Sequence, residues 1–251
     1  MNGKTICLDC TLKRSCLCSG LDSSDRERVL RIINSPNILQ NGTHLFRTGE
    51  TLRSLYILRS GSVKSWKVSE EGDEHVIRFH LPGDIIGLGA ISSGSYDCNA
   101  TTLDTCSMCS IVFNQFQKLA EEIPELNNQL LRMMSHEIVQ DSQMMLLLGN
   151  RSAPARIASF LNMLSHNFGA RGYSPQDFNL TMGRREIASY LGLAMETVSR
   201  TLSQLQDEGL INVNGRHITV TDRQRLKKLS SSCYGATKAV NSCTVVAPAA
   251  V

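Results

Sequence analysis

The chain has 251 residues, of which 41% are hydrophobic and 20% charged, with a net charge of +3; that apolar content fills the core of one large or two ordinary domains and excludes a disordered polymer. The longest purely apolar run, Met144 to Leu148, is far short of the roughly 20 residues that span a bilayer. The first twenty residues mix Lys4, Asp9, Lys13 and Arg14 among cysteines, with no apolar block ahead of a cleavage site, so no export signal is read and a cytoplasmic location is expected.

Nine cysteines are many for a reducing compartment, where they read as metal ligands or redox groups rather than as a disulfide framework. Cys7, Cys10, Cys16 and Cys18 crowd the start, Cys98, Cys106 and Cys109 form a second group, and Cys233 and Cys243 lie near the end. The first three follow the pattern C-x2-C-x5-C, so three thiolates on one short loop can cap a face of an iron-sulfur cubane that a distant fourth thiolate closes. A tetrahedral zinc site fits the same spacing.

From Phe46 to Asp84 turn signals recur about every eleven residues: Gly49-Glu50, Ser60-Gly61, Glu71-Gly72-Asp73 and Pro82-Gly83-Asp84. Between them lie Leu55 to Leu58 and Val76 to Phe79, rich in strand formers, which predicts an antiparallel barrel or sandwich. A further strand pair is expected over Ala100 to Phe113. After Pro124 a run free of Gly and Pro predicts a long helix to Leu148, stopped at Gly149-Asn150. Leu131, Met134, Ile138, Asp141, Met145 and Leu148 fall alternately three and four apart along it, as in a coiled-coil seam; a helix packed on its own domain has the same pattern.

Helical patterning resumes from Ala155 to Phe168. Residues 1–180 hold 17 Lys+Arg against 18 Asp+Glu, whereas residues 181–230 hold 8 against 5, so the positive surplus sits where a polyanion is expected to dock. There Thr181 is the expected cap of a helix bearing Ile187, Ala188 and Leu191, Gly192 supplies a turn, and a second helix begins near Ala194. That helix buries Val198, Leu202 and Leu205 and leaves Glu196, Ser199 and Arg200 outward. In a helix-turn-helix these amino-terminal residues enter the major groove, where Arg grips guanine, Glu accepts from cytosine and Ser serves either kind of edge. Asn214-Gly215 between two short apolar runs is a hairpin signal, completing a winged helix. The Ser, Ala and Val-rich stretch from Ser230 is expected to be a disordered tail.

GRREIASYLGLAMETVSRTLSQLQDEGLI closely resembles the reading head of the cyclic AMP receptor protein and FNR superfamily, and Glu196, Ser199 and Arg200 look like its FNR branch. LYILRSGSVKSW, GDEHVIRFHLPGDIIG and the helix ending QMMLLL extend the resemblance from about Cys7 to residue 229. It implies an α+β fold: a cysteine segment (1–20), an antiparallel β-roll of the cyclic-nucleotide-binding kind (21–122), a dimerisation helix (123–150), a winged helix-turn-helix (151–229) and the tail (230–251). It also implies a four-iron, four-sulfur cluster on Cys7, Cys10, Cys16 and Cys109, with Cys18, Cys98 and Cys106 spare, a homodimer, and double-stranded DNA with TTGAT-like half-sites as partner. RNA polymerase is a further implied partner, touched near Glu71 to Glu74. Ser15, polar beside a ligand, departs from an apolar shield.

The nucleotide-binding branch needs a Glu and an Arg-Ser pair for the phosphate; Leu88, Cys98 and Asn99 stand there, so no cyclic nucleotide is expected. Two Asp141 carboxylates facing across a twofold axis oppose association, which makes Ile138, Asp141 and Met145 the expected dimer switch. The six histidines form no catalytic constellation, so no enzyme is expected. The rival chemistry for the same fold is a zinc-stabilised regulator or a thiol-redox sensor on Cys98 or Cys106.

Overall fold

The computed structural model describes residues 17–231. Cys7, Cys10, Ser15, Cys16, Cys233 and Cys243 therefore lie outside the described residues. Helix α1 (Ser23–Ile32) opens where the Asp22 carboxylate accepts from the Asp25 N–H at 2.8 Å, an N-cap that satisfies one of the orphan donors of a helix start.

Eight strands follow: β1 (Ile33–Leu39), β2 (His44–Phe46), β3 (Ser54–Ser60), β4 (Val63–Val68), β5 (Glu74–His80), β6 (Ile85–Ile86), β7 (Asn99–Thr102) and β8 (Cys106–Val112). They pair antiparallel throughout, as two four-stranded sheets in the orders β1-β8-β3-β6 and β2-β7-β4-β5. This is the expected roll, and the chain turns at the Gly-containing sites read from the sequence, with β4 and β5 joined as a hairpin over Gly72. Gly61 (φ 83°) is required twice over, because a Cβ there would also stand 2.7 Å from the Cys106 Sγ and the Thr105 carbonyl.

Helix α2 (Phe113–Glu122) lays Phe113 and Phe116 on the roll, and α3 (Pro124–Asn150) carries Pro at its start, where the missing N–H costs nothing. Helix α3 ends at Asn150, within the expected stop at Gly149-Asn150. Helix α4 (Ala153–Ala170), capped by Ser152, leads into β9 (Asp177–Asn179), α5 (Arg184–Leu191), α6 (Met195–Asp207), β10 (Ile211–Asn214), β11 (His217–Val220) and α7 (Arg223–Ser230). Strands β10, β11 and β9 form a three-stranded antiparallel wing. Ser230, assigned to the tail by sequence, closes α7 instead.

Two apolar cores organise the chain. One lies in the roll and takes in Leu17, Val29, Phe116, Leu126 and Leu130. The other belongs to the carboxyl-terminal domain, yet it includes Val76, Phe79, Leu81 and Leu103 from the roll and Leu147 from α3. The two halves therefore share buried surface. No helix among the described residues is long and apolar enough to cross a membrane.

Candidate functional site

The reading head is assembled from local signals. Thr181 does not cap α5; its hydroxyl hydrogen-bonds Ser62 of the roll. The cap is Gly183, whose N–H donates to the Glu186 carboxylate at 2.7 Å, because Glu186 at the third helical position can reach back to it. Gly192 turns the chain with φ 59°, and α6 then starts from Ala194. Val198, Leu202 and Leu205 are buried, while Glu196, Ser199 and Arg200 are all exposed on the opposite side. Three side chains with base-reading chemistry thus share the open amino-terminal end of one helix, as the sequence predicted. The wing pairs Asn214 with His217, so the loop is Gly215-Arg216, one residue later than the Asn-Gly signal implied, and it leaves Arg216 exposed.

The head is tied to the rest by residues that sequence reading did not single out. The Arg156 guanidinium donates to the carbonyls of Leu148 (2.8 Å), Arg151 (3.1 Å), Leu191 (2.9 Å) and Gly192 (3.3 Å). One planar fork therefore binds the carboxyl-terminal ends of α3 and α5, where carbonyls lack intrahelical donors. From the roll, the Val76 N–H donates to the Ser189 hydroxyl at 2.8 Å and that hydroxyl donates to the Glu74 carbonyl at 2.9 Å. Phe79 packs on Tyr190 (4.9 Å between ring centroids) and Phe160 (6.0 Å). Lys64 pairs with Glu74 and lies 3.7 Å from Glu186. The long helix and the roll thus both grip the first helix of the helix-turn-helix.

The expected seam of α3 divides. Leu131, Ile138 and Met145 are exposed at seven-residue intervals, with Val139 and Leu146 beside them. Met134 packs against the roll and Leu148 is half-buried. At 3.6 residues per turn, positions three apart lie about 60° apart around the helix, so one row of the seam can stay outward while the other turns toward the chain's own domains. Asp141 is exposed but engaged: it forms an ion pair with Arg78 of β5, whose guanidinium also donates to the Gln140 side chain (3.0 Å) and the Glu137 carbonyl (3.3 Å). Glu137 is pushed up to about 7, mainly by burial.

Of the candidate cluster ligands, only Cys109 falls among the described residues. It lies on β8, 3% exposed, in the same apolar core as Leu17, which directly follows Cys16. Cys106, three residues back on β8, is buried in the same core, and its Sγ donates to the Ser62 carbonyl at 3.2 Å and the Asp104 carbonyl at 3.3 Å. Burial pushes its thiol up, and burial together with Asp97 pushes Cys98 up to about 11, a poor thiolate for redox chemistry at neutral pH. Among the described residues no three His, Cys, Asp or Glu side chains converge as a metal site. In the roll, Leu88 is buried among apolar neighbours. The Asn99 amide is spent on backbone groups, accepting from the Thr48 N–H (3.2 Å) and donating to the Trp66 carbonyl (3.4 Å).

Residues 155–229 match the Crp-like helix-turn-helix domain, and residues 36–122 match the cyclic nucleotide-binding domain. Electron transport regulator A of Shewanella oneidensis is 39% identical over 226 residues, covering 90% of each chain. The fumarate and nitrate reduction regulatory protein of Escherichia coli K12 is 40% identical over 224 residues, 89% of this chain and 90% of the relative. Among solved structures, FixK2 from Bradyrhizobium japonicum is similar with a TM-score of 0.73 at 31% identity, covering 78% of this chain and 97% of that one.

Proposed function

Because this chain belongs to the Crp/FNR family of transcription regulators, we propose that it is the oxygen-responsive kind: a cytoplasmic homodimer that reads a palindromic, TTGAT-like DNA site when an iron-sulfur cluster is held at the start of the chain. Cys7, Cys10, Cys16 and Cys109 are the ligands of a four-iron, four-sulfur cluster in this reading. When bound, the cluster supplies an oxygen-labile tie between the chain's beginning and strand β8.

The observation that carries the reading is the setting of Cys109. Its side chain is 3% exposed in an apolar core that the chain enters immediately after Cys16, and such a core shields thiolate-bound iron from water. Cys106 lies in the same core, and the choice of Cys109 over it follows the resemblance to the FNR branch. Two of the curated relatives bear the name fumarate and nitrate reduction regulatory protein or electron transport regulator, which fits control by respiratory redox state. No cyclic nucleotide is needed: Cys98 stands where a phosphate requires a guanidinium, with Leu88 and Asn99 at the Glu and Ser positions, and none of the three supplies the positive charge.

The exposed row of Leu131, Ile138 and Met145 suits pairing with a second copy. Pairing presents two reading heads to two half-sites about one helical turn apart, and the linked heads multiply an affinity that one half-site does not supply. Glu196, Ser199 and Arg200 read the bases, and the surface turn from Glu71 to Glu74 is the contact for RNA polymerase.

The test is protein prepared without air. The proposal expects a brown protein with roughly four iron atoms per chain that bleaches on exposure to oxygen, and a Cys109→Ser variant that loses most of this iron and its operator binding while Cys106→Ser keeps both. A colourless protein holding zinc, or equal iron loss from both variants, defeats it.

A further inference from the structure

Arg78 stands where the three parts of the chain meet. It lies on β5 between Val76 and Phe79, two residues buried in the core of the reading head, and its own side chain is only 15% exposed. Its guanidinium faces the middle of α3. There it pairs with Asp141, donates to the Gln140 side chain and the Glu137 carbonyl, and lies 3.9 Å from the Glu137 carboxylate. The bond to a main-chain carbonyl fixes the guanidinium to the helix itself, so its position reports the register of β5 against α3.

One cation therefore meets two carboxylates, both within four residues of Ile138 on the row proposed to pair. Other titratable groups close to this cluster are already engaged or uncharged. Asp84 is bound by Arg171 at 2.7 Å, His136 shares a 2.8 Å hydrogen bond with Gln140, His80 is held neutral by burial, and the Tyr190 hydroxyl is pushed up to about 12. With Arg78 in place Asp141 is compensated, and Glu137, raised to about 7, is only partly ionised at neutral pH. Without Arg78 the full Asp141 charge returns in each subunit, and a twofold axis brings two of them together.

We infer that Arg78 is the positioning residue of the dimer: it draws Asp141 against its own β-roll and neutralises it there, so that two α3 helices can pair only while β5 keeps its register on the helix. The inference rests on the proposed pairing through α3 and adds the group that governs it. The same strand holds Ser189 and Tyr190 of the helix-turn-helix, so a displacement of β5 disturbs pairing and reading together.

The experiment is sedimentation equilibrium of the full chain, prepared without air, with and without iron, for the parent, Arg78→Gln, Asp141→Asn and the double variant. The parent tests the pairing itself: a monomer in both iron states overturns the dimer reading and this inference with it. Given a dimer, Arg78→Gln is expected to raise its dissociation constant about tenfold and Asp141→Asn to lower it. The double variant is expected to match Asp141→Asn, since Arg78 then has no Asp141 charge to neutralise. An Arg78→Gln loss that persists undiminished in the Asp141→Asn background marks a purely structural arginine and overturns the inference, as does no loss at all. Arg78→Lys keeps the charge without the fork; its expected dissociation constant lies between parent and Arg78→Gln, and serves if the Gln variant does not fold.

Discussion

The carboxyl-terminal domain and the β-roll fill their interiors differently. Among the described residues the domain buries two polar side chains, Ser165 and Thr201, whereas the roll buries Ser62, Ser65, His80, Asn99, Thr101 and Thr102. Those in the roll are mostly joined by directed hydrogen bonds: Ser65 to His80 at 2.8 Å, the Trp66 indole N–H to Thr101 at 2.9 Å, Thr102 to the Gln40 carbonyl at 2.6 Å. The reading head holds its shape by apolar packing, which is nondirectional and indifferent to pH. The roll adds to its own apolar core a set of buried hydrogen bonds, which fix geometry and make a titrating group costly. A reader needs a rigid presentation of three side chains, and a sensor needs an interior whose arrangement responds to what is bound at its edge.

The sharpest way to break this contrast is at the junction, where apolar packing crosses from one half to the other. Phe79 belongs to the roll by chain position and to the head by contact, 7% exposed between Tyr190 and Phe160. Phe79→Ala is expected to cost about 3–5 kcal/mol and to split urea unfolding into two transitions, one per half. A single transition shifted by less than about 1 kcal/mol would show that the halves are coupled by the Arg156 and Ser189 hydrogen bonds instead.

A smaller loss, confined to recognition, is expected at Arg200. The side chain is exposed and packs in neither core, so Arg200→Ala leaves the unfolding midpoint within about 0.5 kcal/mol. Operator affinity falls by about 1–3 kcal/mol for each half-site, and the penalty disappears on a site whose contacted guanine is replaced. A uniform loss on all sequences instead identifies a phosphate contact.

The same contrast explains what could be read from the sequence. The head was legible because its signals are local: Ile187 to Leu205 carry the helical periods, Gly192 the turn, and Glu196, Ser199 and Arg200 lie within five residues. Its cap was misplaced, since Gly183 offers no side chain and the capping group is Glu186, three residues on, and its wing loop was read one residue early. The strands of the roll from Ser54 onward were legible from turn spacing, whereas β1 and β2 lie ahead of the first turn signal and were not read. Nor were the partners across the roll, because alternation along β5 marks Arg78 as a strand residue without naming Asp141, 63 positions away. Arg156 carried no signal either: its four acceptors are main-chain carbonyls, which have no sequence identity. The seam on α3 was half right, because the heptad count cannot tell which row a 3.6-residue helix turns toward its own roll.

The smallest net effect sharpens the comparison most, because two opposing titrations hide it. His80, in the hydrogen-bonded roll, is lowered from 6.5 to about 3 by burial first and by Arg78 second. Below 6.5 the unfolded chain takes up a proton that the folded chain refuses, so this group's contribution to stability rises with pH between about 3 and 6.5. Glu137, at the contact with α3, is raised from 4.5 to about 7 by burial, with Asp84 and Asp141 adding and Arg78 opposing. Above 4.5 the unfolded chain releases a proton that the folded chain keeps, so its contribution falls with pH between 4.5 and about 7. In the shared window from 4.5 to 6.5 each slope is about 1.4 kcal/mol per pH unit, with opposite sign, and in the parent they cancel. Urea midpoints across that window are therefore expected to rise with pH in Glu137→Gln, where His80 acts alone, and to fall with pH in His80→Gln, where Glu137 does. The double variant is expected to follow the parent across that window. Parallel profiles for all four proteins would mean that neither burial carries the proton linkage, and the directional interior of the roll would then lose its claim to be the pH-sensitive half.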